Sequence, residues 1–297
     1  MRILNFGSCN IDYVYSLDHI VRPGETERTN LMEVFPGGKG LNQSIAAARA
    51  GADVCHAGFI GPEGECLRTL LQESGVDVTY MQMTKEKNGH AIIQVSAEGE
   101  NSIFLYPGSN EVLTESYIDS VLTDFTPKDM VVLQNETNLT DYIVDKAYEK
   151  GLLVALNPSP CNVRIKRIDL HKISYLILNE VEAADLTGCQ SVEDSLSVFR
   201  SKYPHLTVVL TCGKQGSTLQ NDTERLHQCA YPVDTVDTTA AGDTFLGYFL
   251  SGVAGGSSYS HALRSAAAAA ALAVTQKGAA PSIPTADRVE AFLKDRM

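Results

Sequence analysis

The run Asp237-Thr238-Thr239-Ala240-Ala241-Gly242-Asp243-Thr244-Phe245 places an acid where a small-residue turn becomes a helix. A helix start presents unpaired backbone N–H groups and the positive end of the macrodipole, so Ala240, Ala241 and Gly242 can bring main-chain donors to an anion. Asp243 would then sit beside the bound charge. An acid in that place can take a proton from an attacking hydroxyl while the amides stabilise charge on a transferring group, which is the chemistry of phosphoryl transfer. Taken alone, the segment also fits a glycine-containing turn with an acid in the first helical turn.

A second glycine turn, Gly37-Gly38-Lys39-Gly40-Leu41-Asn42, opens the helix-forming stretch Gln43 to Ala50, which Gly51 closes. Glycine there permits positive φ and close backbone approach, and Lys39 and Asn42 offer polar contacts to a small ligand. Upstream, Asn10 and Asp12 follow the apolar strand Ile3–Phe6. Asp12, Asn10, Asn42 and Lys39 mix donors and acceptors, a set suited to sugar hydroxyls rather than to an apolar ligand or a nucleic-acid backbone.

The elements that must position these residues alternate as in a parallel sheet covered on both faces. Strands are expected at Val54–Ile60, Met130–Gln134, Leu152–Leu156, Tyr175–Leu178 and Thr207–Thr211. Helices are expected at Glu63–Ser74, Asp141–Lys150, Val192–Lys202 and Thr244–Ser251, several closed by Gly75, Gly151 or Gly252. The alanine run Ala266–Ala271 reads as a tightly packed helix. Two stretches break the rhythm, about 13–35 and 89–107. The second holds Ala91–Val95 and Ser102–Tyr106 around a polar turn, a β-hairpin pattern. Their faces need cover, so the two excursions are expected to join in a small sheet over the sugar site. No linker or repeat divides the chain, and one continuous α/β domain over 1–297 is the simplest organisation.

Composition excludes several other classes. With 297 residues, 44% of them hydrophobic, the chain can bury a large core. Thirty-six acidic residues against 24 basic ones give a net charge of −12, which disfavours nucleic acid and anionic membranes as partners. The apolar stretch in residues 1–7 is too short for a signal peptide and reads as a first strand, so a cytoplasmic location is the default. Seven cysteines without a C-x-x-C pair argue against a disulfide framework or structural zinc; mostly buried, reduced thiols are expected. Neither Gly38-Lys39-Gly40 nor Gly213-Lys214-Gln215 has P-loop spacing, and no G-x-G-x-x-G follows the first strand.

Six motifs in order resemble the PfkB carbohydrate kinase family of the ribokinase-like superfamily. They are Asn10-Ile11-Asp12, Gly37-Gly38-Lys39-Gly40 with Asn42, Asn179-Glu180-Val181-Glu182, Thr211 to Gly216, the Asp237–Asp243 run, and Ala273 to Gly278 followed by Pro281-Ser282. The resemblance implies a three-layer α/β sandwich with a small β-sheet lid that also forms a homodimer interface. It implies sugar binding by Asn10, Asp12, Gly38, Lys39, Asn42, Glu136 and Asp243, with Asp243 as base and Ala240, Ala241 and Gly242 as the anion hole. ATP would contact Asn179, Thr211, Gly213, Gly216 and Gly242, and Glu182 would organise Mg²⁺ through water. Asn179-Glu180 also fits a simple helix cap. A potassium ion would sit among Asp237, Thr239, Ala273, Gln276, Gly278 and Ser282, an oxygen-only set for a hard cation.

The resemblance implies transfer of the ATP γ-phosphoryl group to a primary hydroxyl, with D-ribose the leading substrate. Ala91, Ile93 and Ile103 suit a compact furanose, and Gly89 to Asn110 contains no Lys or Arg for a phosphorylated substrate, although Arg22 and Arg28 lie in the first excursion. His90, Phe104 and Tyr106 depart from the family's pattern and bear on the choice of pentose. A fructokinase-like, other pentose or nucleoside kinase remains open. So does a silent sugar- or nucleotide-binding sensor on the same fold, against which the intact Asp243 weighs.

Overall fold

The computed structural model describes residues 1–296. The N-terminal half runs β1 (Ile3–Phe6), β2 (Asn10–Ser16), β3 (Leu31–Gly37), α1 (Lys39–Arg49), β4 (Val54–Ile60), α2 (Glu65–Glu73), β5 (Asp77–Met83), β6 (Gly89–Val95), β7 (Asn101–Tyr106) and α3 (Glu115–Leu122). There follow β8 (Met130–Leu133), α4 (Thr140–Glu149), β9 (Leu153–Leu156), β10 (Tyr175–Asn179), α5 (Glu180–Thr187), α6 (Val192–Lys202) and β11 (Thr207–Thr211). The chain ends with β12 (Ser217–Gln220), β13 (Arg225–Gln228), α7 (Ala241–Ala254), α8 (Tyr259–Ala273) and α9 (Ala286–Lys294).

The large sheet has the order β13-β12-β11-β10-β9-β8-β1-β4-β5, parallel from β11 to β5, with β12 and β13 antiparallel at one edge. Strands such as Met130–Leu133 are buried on both faces and read as unbroken apolar runs. Alternate residues divide the core. Ile3 and Val132 pack with Leu41 and Ile45 of α1, Phe245 and Phe249 of α7, and the alanines of α8. Leu4 and Leu133 pack on the other side with Ile118 of α3, Ile143 of α4 and Phe199 of α6. The result is the expected three-layer sandwich.

The alanine stretch Ala266–Ala271 lies within α8, as expected, and α8 packs on α7. Gly252 does not end α7. A Cβ there would come within 2.9 Å of the Ala262 Cβ in α8, so the glycine serves close helix packing and the helix continues to Ala254. At Gly247 a Cβ would lie 2.4 Å from the Ala46 Cβ and 2.7 Å from the Ala47 nitrogen of α1. The absent side chain lets α1 and α7 run against one another.

The two excursions join as expected in a four-stranded sheet, β3-β2-β6-β7, with β2 parallel to β6. Cross-strand register sorts its faces, because opposed residues point the same way. Asp12 shares one face with Phe35, Ala91 and Leu105, and Val14 shares it with Ile93 and Ile103. The other face carries Val34, Tyr13, Ile92 and Phe104 across all four strands, with His90 and Tyr106 beside them.

All seven cysteines are free, but only Cys9 and Cys55 are buried. The expectation of mostly buried thiols fails because Cys66 falls on the outer side of α2 and Cys229 just beyond the edge strand β13. Among the described residues, no helix is long and apolar enough to cross a membrane.

Candidate active site

In a parallel sheet the strand ends converge on one side, and a crevice opens where successive connections leave in opposite directions. Here β1 has β4 on one side and β8 on the other. Ser8 follows β1, Gln134 and Glu136 follow β8, Asn157 follows β9, and Asn179 and Thr211 end β10 and β11. The starts of α1 and α7 come together over this edge.

Asp243 lies buried in the first turn of α7. Its Oδ2 accepts a hydrogen bond from Asn42 Nδ2 at 3.1 Å and its Oδ1 one from Gln43 Nε2 at 2.9 Å. The turn before it is formed by Ala240, which takes φ 59°, a left-handed conformation seldom adopted outside glycine. The fold accepts that strain to aim the helix start. Ala241 departs from the expected trio of anion-hole amides, since its N–H donates to Thr238 O at 3.2 Å within the turn. The N–H groups of Ala240, Gly242 and Asp243 have no acceptor among the described residues, and the space above Gly242 is open.

The first glycine turn is pinned by Glu136. Its Oε2 accepts from Ser8 Oγ at 2.5 Å and from the Lys39 N–H at 3.1 Å, while Ser8 Oγ accepts from the Gly40 N–H at 3.2 Å. Burial alone would push the Lys39 ammonium down, but the nearby Asp243, Glu136 and Glu182 carboxylates outweigh it and hold it above its ordinary value. The Asp12 carboxyl is pushed up to about 7, chiefly by burial and then by Glu136 and Asp243. Gly37 makes room for it, since a Cβ there would lie 2.0 Å from Asp12 Oδ2. Asn10 is buried, with its Oδ1 accepting from Asn110 Nδ2 at 2.7 Å. Asp12, Lys39, Glu136 and Asp243 thus lie within electrostatic reach of one another, and Asn42 joins them through Asp243.

The helix-cap alternative for Asn179 is realised: its Oδ1 accepts from the Glu182 N–H at 2.9 Å, and Glu182 Oε2 accepts from the Asn179 N–H at 3.1 Å. Capping fixes Glu182 without consuming its Oε1, which has no partner among the described residues. Beyond β11, Cys212 donates to Gly216 O at 2.8 Å and Gly216 to Gly213 O at 3.1 Å. This loop rests on positive φ at Gly213 and Gly216.

Asp237 staples two loops. Its Oδ1 accepts from the Thr239 N–H at 2.8 Å and hydroxyl at 2.6 Å, and its Oδ2 accepts from the Gly278 N–H at 2.8 Å. Burial would raise the Asp237 carboxyl, but these donors outweigh it and hold it below its ordinary value. Ser282 is buried and donates to Ala279 O, and Ala273 O accepts from the Gln276 N–H. A separate groove of about 350 Å³, lined by Phe59, Tyr80, Tyr117 and Asp124, includes none of these site residues.

Ser8, Gln43 and Gln134 are site residues that motif reading missed. Gln43 belongs to a polar run, Asn42 to Ser44, that α1 buries between Leu41 and Ile45, and buried polar side chains inside an apolar helix are the signal that was available.

A doubly covered parallel sheet, a β-sheet lid and an acid beside an open helix start define a phosphotransferase acting on a small hydroxyl-bearing substrate. The chain belongs to the pfkB family of carbohydrate kinases, whose family model matches residues 2–286. It is 36% identical to the ribokinase of Haemophilus influenzae over 298 residues, covering 97% of each chain. The structure resembles ribokinase from Cryptococcus neoformans in complex with ADP, with a TM-score of 0.86 and 32% identity over 100% of this chain and 99% of that one. It also resembles Arabidopsis thaliana ribokinase complexed with ribose and ATP, with a TM-score of 0.85 and 28% identity over 98% of each chain.

Proposed function

We propose that the chain transfers the γ-phosphoryl group of ATP to a primary hydroxyl of D-ribose, giving ribose 5-phosphate and ADP in the cytoplasm. The observation that carries this reading is Asp243, held on both oxygens by Asn42 and Gln43 at the start of a helix where the Ala240 and Gly242 N–H groups have no acceptor among the described residues. The similarity to ribokinases, one of them solved with ribose and ATP, supports ribose as the sugar.

In the proposed reaction Asp243 takes the hydroxyl proton as the sugar oxygen bonds to the γ-phosphorus. The bond from that phosphorus to the bridging oxygen breaks, and ADP leaves with the electron pair. The N–H groups of Ala240 and Gly242 meet charge on the transferring group, and Lys39 supplies a cation on the sugar side. Asn10, Asp12, Gly38, Asn42 and Glu136 orient the hydroxyls, and the apolar row Ala91, Ile93, Ile103 excludes water.

ATP would lie along Asn179, Thr211, Gly213, Gly216 and Gly242. Magnesium, when bound, neutralises phosphate charge; Glu182 fits this role through water, because its Oε1 lacks a donor among the described residues. Potassium, when bound, adds fixed positive charge beside the turn. Asp237, Thr239, Ala273, Gln276, Gly278 and Ser282 suit it as an all-oxygen set, with Asp237 already joining the two loops concerned. The outward row Val34, Tyr13, Ile92, Phe104 supports a homodimer through the lid, with Val34 and Phe104 more than half exposed in the single chain.

The test is ADP release from ATP and Mg²⁺ with ribose, deoxyribose, fructose or adenosine, each with potassium or a large organic cation. Ribose-dependent turnover that falls about 10²–10⁴-fold in Asp243→Asn is expected. Turnover with another acceptor would overturn the sugar assignment, and silence across the panel would overturn the kinase reading.

A further inference from the structure

Asp243 ends a line of buried side chains that crosses beneath α1. Gln43 Nε2 donates to Asp243 Oδ1 at 2.9 Å, and Gln134 Nε2 donates to Gln43 Oε1 at 2.7 Å and to Asn5 Oδ1 at 3.0 Å. Asn5 Nδ2 in turn donates to Ser44 Oγ at 2.9 Å, and Ser44 Oγ lies 2.8 Å from His56 Nδ1. The five side chains behind Asp243 are at most 2% exposed. Burial pushes His56 down to about 4, so its ring is neutral and Nδ1 can accept the Ser44 proton.

The polarity of this line is dictated from its catalytic end. A carboxylate only accepts, so Gln43 must turn its NH₂ toward Asp243 and its oxygen away, and Gln134 must then donate to that oxygen. Gln134 meets this demand at a cost: its own Oε1 is buried without a partner among the described residues. Apolar packing alone would not call for two glutamines here, since Ile45, Ala46 and Ala47 fill the adjacent positions of α1.

We propose that Gln43, oriented by Gln134, is the positioning residue of this kinase, fixing the rotation of the Asp243 carboxylate so that one lone pair faces the acceptor hydroxyl. The inference rests on Asp243 being the base. Asn42 grips the other oxygen from the same helix, so the carboxylate plane is held at two points. Sugar and nucleotide bind to other groups, and the effect of Gln43 falls on the chemical step.

The experiment compares steady-state ribose phosphorylation and thermal midpoints for wild type, Gln43→Met, Gln134→Met, Asp243→Ala and the Gln43→Met/Asp243→Ala double variant. Methionine keeps the length and removes the amide. In Gln43→Met, kcat is expected to fall about 10- to 100-fold with both KM values within about threefold. A loss of about 3- to 10-fold is expected in Gln134→Met, which does not touch Asp243. In the Asp243→Ala background Gln43→Met should cause no further loss, because its effect passes through the missing carboxylate. Unchanged kcat in Gln43→Met, a loss confined to KM, or an equal loss in the Asp243→Ala background would each overturn the proposal. If Gln43→Met does not fold, Gln134→Met decides alone, and unchanged kcat there overturns it. Wild-type turnover by Asp243→Ala is a separate result, which removes the base assignment itself.

Discussion

Asn42 Nδ2 and Asp243 Oδ2 are 3.1 Å apart although 201 positions separate the two residues in the chain. The contact joins the first turns of α1 and α7, the two helix starts of the proposed site. Their spacing depends on the seam behind them, where Gly247 lies against Ala46 and Ala47. The proposed sugar-reading and proton-accepting halves of the site are therefore set by one helix packing.

Gly247→Ala should disturb both stability and catalysis. The new methyl would overlap backbone as well as the Ala46 side chain, and overpacking of this kind costs about 1–3 kcal/mol. Chemical denaturation should show that loss together with a reduced kcat, because prying α7 from α1 moves Asp243 relative to Asn42. Wild-type stability would show that the seam yields without cost.

Asp12 gives the apo protein a pH-dependent stability of defined sign. Its folded-state carboxyl titrates at about 7, above the unfolded value of about 3.9. The folded chain therefore holds the proton more tightly, and this contribution is present below about pH 4 and lost as pH rises through about 7. Thermal midpoints of wild type and Asp12→Asn, measured without sugar from pH 4 to 8, should diverge in favour of the variant as pH rises. A difference independent of pH would refute this.

Asp237 should behave in the opposite sense. Its folded carboxyl is held below the ordinary value, so its contribution is present above the unfolded value and lost as pH falls through the lower folded one. The advantage of wild type over Asp237→Asn should be steady from pH 5 to 8 and shrink below about pH 4. The variant loses the carboxylate between Thr239 and Gly278, so its turnover should also lose any stimulation by potassium. Undiminished stimulation would remove Asp237 from the cation set.

Phe104→Glu tests the lid interface. Phe104 is 55% exposed and lies in register with Ile92, on the face away from Asp12. A charge there should yield a monomer by sedimentation, whereas wild type should sediment as a dimer. A monomeric wild type would remove the interface.

Much of this architecture could be read from the chain. Val54–Ile60, Val192–Lys202 and Thr207–Thr211 coincide with the observed elements, because their apolar patterns are bounded by clear turn or capping residues. Gly252 misled because local glycine chemistry looks the same whether it ends a helix or admits a neighbouring one. At the site, the glycine turns and acids were legible as contiguous motifs. Ser8 and Gln134 were not, since their partners Glu136 and Gln43 lie 128 and 91 positions away. His90, Phe104 and Tyr106, which depart from the family's pattern, lie in register on the face opposite Asp12; strand alternation alone gives two faces without saying which one carries Asp12.

The strand order of the large sheet also bears on how the enzyme comes into being. From β8 to β13 each strand lies beside its predecessor in the chain, so this wing can assemble by successive short-range closures as a nascent polypeptide lengthens. Asp243 enters only after that wing is complete, on a helix that must return to α1 near the beginning of the chain. A polypeptide released after β13 would carry both sheets and the residues proposed to face the sugar, but not the proposed base. Catalytic competence arrives as a late event of synthesis, once nearly all of the scaffold is in place.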